Sequence, residues 1–197
     1  MIRLALLRHG HTEWNRAGRL QGRTDIALDA TARADLAALR LPPAWRGADL
    51  VASPLSRAME TAALVAGRPA RPVPALIEMN WGRWEGLRGV DLRADPASGY
   101  RDIEAWGWSF HPPDGESVQE LRDRVFAGLA QLRRDTVAVC HIGVMRVILA
   151  VAQGWAFAGP APFRIKRGRL YIVTFPAGAP NRMTYAQEPD RLIEVEP

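Results

Sequence analysis

Cysteine and lysine are nearly missing from this 197-residue sequence, which carries one of each, Cys140 and Lys166. A lone thiol excludes an intramolecular disulfide and a cysteine-rich zinc site, and it fits a reducing compartment. Long hydrophobic runs are missing too. The opening Met1-Ile2-Arg3-Leu4-Ala5-Leu6-Leu7 is cut short by Arg8-His9, well below the apolar core of a secretory signal. The longest apolar stretch, Val137 to Ala152, is interrupted by His141 and Arg146 and is too short to span a bilayer. A cytoplasmic protein with no membrane partner is expected. Gly and Pro are spread along the chain, so collagen-like and low-complexity readings fail.

What is present is an ordinary globular composition, 48% apolar and 24% charged. The length suits one domain spanning residues 1–197. The net charge is +5 and nearly all of the positive charge is arginine, whose planar fork of donors suits phosphate. These arginines alternate with Asp and Glu, without the local basic run and interleaved aromatics of a nucleic-acid binder, so no nucleic-acid partner is expected.

Along the chain, Ile2 to Leu7 reads as a buried strand ending abruptly in polar residues, and Arg8 to Asp29 as a surface loop. Thr31 to Leu39 reads as a helix stopped by Pro42-Pro43. Asp49 to Ala52 is a second strand, Ser53-Pro54 turns into a helix from about Leu55 to Ala66, and Val73 to Ile77 is a third strand. Residues 82–116, rich in Gly, Pro and aromatics, form an irregular excursion over the active face. Ser117 begins a long helix to about Arg133, with Val118, Leu121, Val125, Leu129 and Leu132 on one stripe and Glu120 completing a capping box. Thr136 to Cys140 is a strand, Gly143 to Val151 a helix and Leu170 to Phe175 a final strand. Strand and helix in alternation predict an α/β fold, a three-layer αβα sandwich whose mostly parallel central sheet has helices on both faces.

Ligands of such sheets bind beyond the carboxyl ends of the strands. Arg8-His9, Ser53 to Arg57, Glu78 and His141 each follow a strand, so Arg, His, Arg, Glu and His converge on one rim. Two guanidinium groups and two imidazoles make a receptor for a dianionic phosphate. A histidine there either binds as a cation or attacks phosphorus as a neutral imidazole. Phosphoryl transfer needs alignment, charge neutralisation and a proton for the leaving oxygen, and Glu78 is the carboxyl placed to supply it.

Leu7-Arg8-His9-Gly10-His11-Thr12-Glu13-Trp14-Asn15 resembles the Arg-His-Gly-x-Thr-x-x-Asn motif of the histidine phosphatase superfamily, in its phosphoglycerate mutase-like branch. The likeness continues through Gly18-Arg19-Leu20-Gln21-Gly22, Ser53-Pro54-Leu55-Ser56-Arg57, Glu78-Met79-Asn80-Trp81-Gly82, Gly115-Glu116-Ser117 and His141-Ile142-Gly143-Val144-Met145-Arg146. It implies a phosphatase of small phosphomonoesters needing no metal or other cofactor. His9 would be the nucleophile, Glu78 the general acid and then base, and His141 a partner in catalysis. Arg8, Asn15, Arg57 and the backbone of Ile142 would hold the phosphoryl group. Gln21, Gly22, Trp106 and Trp108 are candidate substrate-facing residues, and Glu85 is a rival to Glu78 for the acid role.

The family often has His-Gly-Gly where this chain has His141-Ile142-Gly143, which leaves the direction of Ile142 open. The Trp106-Gly107-Trp108 to Ser117 stretch is also similar to the α-ribazole phosphatase group, a narrower alternative. A phosphoglycerate mutase is a second alternative, disfavoured because the long insertion and extended C-terminus of mutases are absent. A non-catalytic binder of phosphorylated ligands or nucleic acid is a third, disfavoured because His9, Arg57, Glu78 and His141 are all present.

Overall fold

Strand β1 (Ile2–Arg8) alternates its side chains between two buried layers, and the rest of the chain is built on that alternation. Leu4 and Leu6 join one hydrophobic cluster, Ala5 and Leu7 the other. In this computed structural model, which describes residues 1–186 and 188–195, β1 is followed by α1 (Glu13–Arg16), α2 (Ala30–Ala37), β2 (Leu39–Arg40), β3 (Asp49–Ala52), α3 (Ser56–Ala66) and β4 (Arg71–Pro72). Then come α4 (Gly89–Ala94), α5 (Val118–Leu129), β5 (Thr136–Cys140), α6 (Ile142–Gln153), β6 (Arg169–Phe175) and the short strands β7 (Thr184–Tyr185), β8 (Asp190–Arg191) and β9 (Ile193–Glu194).

Among the described residues the main sheet has seven strands, in the order β4-β3-β5-β1-β6-β7 with β8 also on β6. β4, β3, β5 and β1 run parallel, while β6 turns back antiparallel along β1. On β5, Ala138 and Cys140 face the layer containing α5 and α6, whereas Val137 and Val139 face Ala58, Ala62 and Val65 of α3. Both faces are covered, which explains why β1 and β5 read as near-continuous apolar runs. No described helix is long and apolar enough to cross a membrane.

The register sets the functional rim. Arg8 lies beside Cys140, and Ala52 beside Val139, so the three parallel strands end almost flush. His9 N–H donates to the Cys140 carbonyl at 3.0 Å and Ser53 N–H to that of Val139 at 2.9 Å. His9, Ser53 and His141 therefore emerge side by side.

Three expectations are corrected. Val73 to Ile77 is not a strand: Pro72 and Pro74 lack an N–H, so the ladder stops after Val73 donates to Ala52, and Pro74–Leu76 form a 3-10 turn. The second helix is capped by Asp29, whose carboxylate accepts from Ala32 N–H at 2.7 Å, and so begins before Thr31. The expected loop 8–29 contains α1, closed by a reciprocal Thr12–Asn15 capping box.

The excursion of residues 82–116 leaves and rejoins the body at one narrow neck. Arg83 N–H donates to the Pro113 carbonyl and Glu116 N–H to that of Asn80, both at 2.9 Å. Gly82 has φ +50° and its Cα faces the returning chain; a Cβ there would overlap the Pro113 carbonyl oxygen. The interior of the excursion is packed by aromatic rings: Trp106 stacks on Phe110 at 4.9 Å and lies parallel to Phe157 at 6.3 Å.

Candidate active site

His9 is buried at the end of β1, and its Nδ1 lies 2.6 Å from the Gly10 carbonyl oxygen. A carbonyl only accepts, so Nδ1 carries the proton and Nε2 keeps its lone pair. Gly10 is held in turn by Thr61, whose hydroxyl accepts from Gly10 N–H at 3.0 Å and donates to the Arg57 carbonyl at 2.6 Å. The His141 ring lies 5.1 Å from that of His9 between centroids, with its Nε2 2.7 Å from Ser53 Oγ.

Arg57, in the first turn of α3, is wholly buried and donates to the carbonyls of Thr24 and Gly22 at 2.9 and 2.6 Å. Those bonds aim the guanidinium by fixing its outer nitrogens. Nε of Arg8, Nε of Arg57, Nδ1 of His141 and Nε2 of Gln21 are all buried without a partner among the described residues. Buried polar groups are normally paired; Arg8 and Gln21 line the cavity beside His9, where their orphan donors suit an anion's acceptor oxygens, whereas Arg57 and His141 are wholly buried and do not line it.

Glu78 reaches the same place from the turn after β4. Its carboxylate oxygens accept from Met79 N–H at 2.8 Å and Gly143 N–H at 3.0 Å. The glycine is obligatory here, since a Cβ on residue 143 would collide with Glu78 Oε1 and lie 3.1 Å from its Cδ. Ile142, the other residue of the His-Ile-Gly triplet, lines the cavity wall. Replacing Gly143 by alanine is expected to push the buried carboxyl aside, lowering kcat for alkyl phosphates by about 10²-fold, the lower range of a general acid's contribution. Steady-state rates beside a thermal melt check this, the melt reporting an overpacking loss of ~1–3 kcal/mol.

Burial is the largest cause of the shifts at the site. Desolvation pushes the Glu78 carboxyl above its ordinary value, against the opposing hydrogen bonds from Gly143 and Met79 and the charges of Arg57 and Arg146. Desolvation and then the neighbouring His141, Arg57, Arg8 and Arg167 push His9 well below 6.5. His141 is lowered well below 6.5 as well, by burial and then by Arg57, Arg124 and Arg8. Arg8 falls to about 10, first through burial.

These shifts make stability depend on pH. The histidines are depressed on folding, so their contribution is complete above 6.5 and is lost as pH falls toward their folded values. Glu78 is raised, so its contribution is complete below 4.5 and is lost as pH rises through its folded value. His9, His141 and also His11, which burial lowers too, outweigh the one raised carboxyl and leave a net loss of stability on acidification below 6.5, of up to about 1.4 kcal/mol per pH unit for each uncompensated proton. Urea titrations between neutral and mildly acid pH should give this slope, and a His9→Asn, His141→Asn double variant should flatten it.

Asn15 and Gln21 line the cavity beside His9; Gln21 Oε1 accepts from Asn15 Nδ2 at 2.8 Å and Thr12 Oγ1 at 3.0 Å. Gly22 serves through its carbonyl, as the anchor of Arg57. Glu85 accepts from Thr24 N–H, tying down the same loop, and does not line the cavity. Trp106 lines the cavity, with its ring faces turned to Phe110 and Phe157. Trp108 does not line it; it packs edge-on against Phe157 and beneath Arg122. Gly107 between the two adopts φ +62°, which breaks the alternation, and the Trp108 carbonyl accepts from Gln119 N–H of α5.

The site also contains residues to which the sequence reading gave no role. Arg167, just before β6, donates to the His9 carbonyl at 3.0 Å and to Asn15 Oδ1 at 2.8 Å, and burial lowers it to about 9. Arg124 of α5 donates to the carbonyls of Ala75 and Glu78 at 2.9 and 3.0 Å while its Nε meets Glu116 at 2.6 Å. Glu116 in turn accepts from Asn80 N–H, so this pair clamps the turn bearing Glu78 on both sides. A cavity of about 400 Å³ opens over His9 and Glu78. Among the described residues no three His, Cys, Asp or Glu side chains are grouped as metal ligands.

Residues 4–187 match the family model described as the histidine phosphatase superfamily (branch 1). Glucosyl-3-phosphoglycerate phosphatase of Mycolicibacterium vanbaalenii is 31% identical over 176 residues, covering 77% of this chain and 74% of that protein. Adenosylcobalamin/alpha-ribazole phosphatase of Escherichia coli is 33% identical over 181 residues, covering 85% and 87%. The crystal structure of a phosphoglycerate mutase from Thermus thermophilus superposes with a TM-score of 0.72 at 33% identity, covering 98% of this chain and 99% of that one.

Proposed function

This chain belongs to the histidine phosphatase superfamily, and on that premise we propose that it hydrolyses small phosphomonoesters through a phosphoryl group carried on His9. One observation carries the proposal: an imidazole whose Nδ1 is taken by the Gly10 carbonyl, leaving Nε2 free, and a buried carboxyl whose pKa burial raises line the same cavity. In the first step the Nε2 lone pair forms a bond to phosphorus as the ester P–O bond breaks, and the departing oxygen takes the Glu78 proton. The imidazole becomes cationic, and Gly10 accepts its Nδ1 proton in a stronger hydrogen bond. In the second step Glu78, now ionised, takes a proton from water as its oxygen attacks phosphorus. The N–P bond breaks, phosphate leaves and both side chains return to their starting states. Arg8, Arg57, His141 and the N-terminus of α6 offset charge on the phosphoryl oxygens throughout.

Hydrolysis rather than mutase chemistry draws on the phosphatase names of the Mycolicibacterium vanbaalenii and Escherichia coli relatives. The α-ribazole alternative draws on the Escherichia coli relative; an aromatic platform for a flat ring does not add to it, because Trp106 is stacked on both Phe110 and Phe157. A phosphomonoester panel with EDTA present tests the proposal. Phosphate release with an acid-labile phosphoryl adduct on His9 is expected, without conversion of 3-phosphoglycerate to 2-phosphoglycerate. Conversion without release would replace hydrolase by mutase.

A further inference from the structure

Arg167 does not line the cavity, yet its donors converge on the strand end and the helix that build it. Nε donates to the His9 carbonyl at 3.0 Å, Nη1 to His11 Nε2 at 3.1 Å and Nη2 to Asn15 Oδ1 at 2.8 Å. All three acceptors are neutral. The carboxylate that acts on Arg167, Asp29, is already paired with Arg16 at 2.6 Å. The chain on either side of Arg167 is pinned as well. The Tyr171 hydroxyl of β6 accepts from Lys166 N–H and donates to the Arg164 carbonyl, both at 2.7 Å, and Leu192 N–H donates to the Gly168 carbonyl at 3.3 Å.

These contacts fix the polarity of a relay of side-chain amides. A guanidinium only donates, so Asn15 presents Oδ1 to it and has Nδ2 left to donate to Gln21 Oε1 at 2.8 Å. Thr12 Oγ1 donates to the same Gln21 oxygen at 3.0 Å, which fills both of its lone pairs. Gln21 lines the cavity, and its free donor is therefore Nε2, buried without a partner among the described residues.

We infer that Arg167 is a positioning residue for phosphoryl transfer: one guanidinium ties the backbone of the nucleophile to Asn15, and through Asn15 aims the Gln21 Nε2 donor at the phosphoryl oxygens. The inference rests on the hydrolase reading and adds a residue to it. The guanidinium is flat and rigid, so the His9 carbonyl and Asn15 Oδ1 are held at a separation set by a single group. Its two ends serve the two parties that the reaction has to align, the attacking imidazole and a donor to the oxygens. Lysine, a point charge on a flexible stem, offers no such spacer.

A double-mutant cycle tests it. For wild type, Arg167→Met, Gln21→Met and the double variant, kcat/KM for p-nitrophenyl phosphate is measured beside a thermal melt. Each single change should lower kcat/KM by about 10–10²-fold, the scale of a misplaced or missing donor. The double variant should fall within about threefold of the worse single one, because one change removes the donor that the other misdirects. Arg167→Lys should lose nearly as much as Arg167→Met. Losses that multiply in the double variant make Arg167 a brace independent of Gln21 and overturn the inference, as does full activity in Arg167→Met or Arg167→Lys. If Arg167→Met does not fold, Asn15→Leu cuts the relay and leaves the bond from Arg167 to His9 in place. Its loss should merge with that of Gln21→Met in the same way, and multiplied losses there also overturn the inference. All of these outcomes leave hydrolysis standing. Failure of wild type to release phosphate from any member of the phosphomonoester panel overturns the hydrolase reading, and the inference with it.

Discussion

His9→Ala is expected to lose turnover by about 10⁴-fold or more, the scale at which removal of a nucleophile leaves only binding and charge stabilisation. The variant should keep the fold and a working phosphate receptor, because the orphan donors lining the cavity belong to Arg8 and Gln21 rather than to His9. Inorganic phosphate or vanadate should therefore still bind within a few-fold of wild type while no phosphoryl adduct forms. Intact mass after substrate mixing and an alkaline quench, which spares an N–P bond, reads the adduct directly. Retained turnover would mean that water attacks phosphorus without a covalent stage, and would leave the Nδ1–Gly10 contact with no catalytic purpose.

The second large effect is at the acid. Glu78→Gln keeps the shape but, with one oxygen where the carboxyl has two, can accept from only one of Met79 and Gly143 N–H, and it has no proton to give and no base to offer. Alkyl phosphates, whose leaving oxygen needs protonation, should slow by about 10²–10⁴-fold. With p-nitrophenyl phosphate the leaving group departs unaided, so the first step should survive while hydrolysis of the adduct stalls. A burst of nitrophenol equal to the enzyme concentration is the expected signature. The pH profile of kcat/KM should change in parallel. In wild type the acid limb falls as His9 is protonated, below 6.5, and the alkaline limb falls as Glu78 ionises, above 4.5. The second ionisation of the phosphate ester itself, near ~6, overlays both. The glutamine variant should keep the acid limb and lose the Glu78 contribution to the alkaline one.

Much of this architecture was legible before any coordinates, for identifiable reasons. Short apolar runs that end abruptly in polar residues placed β1 and β5 as strands, and those polar residues located the rim. Other features were not legible because they belong to tertiary contact rather than to local pattern. Arg167 reaches His9 across 158 positions from a stretch of similar basic residues, and no periodicity distinguishes it. The Glu116–Arg124 pair lies partly on a capped helix that reads as ordinary, and its hold on the Ala75 and Glu78 carbonyls appears only when the turn after β4 is in place. Pro72 and Pro74 could have warned against a strand at Val73 to Ile77, because neither can donate to a ladder. The protonation of Glu78 was undecidable in sequence, since burial and the surrounding cations act in opposite directions.

The pinched stem formed by Asn80, Gly82, Pro113 and Glu116 has an evolutionary reading. His9 and Glu78 line the cavity from the body, whereas Arg93, Tyr100, Asp102 and Ile103 line it from the excursion, which the body touches again at Leu20 and Phe157. Closing a loop costs only slightly more as it lengthens, so inserts of other sizes can be grafted onto the same base with little penalty. Diversification of this scaffold toward new leaving groups can then proceed by exchanging one appendage while the reactive machinery is inherited unchanged.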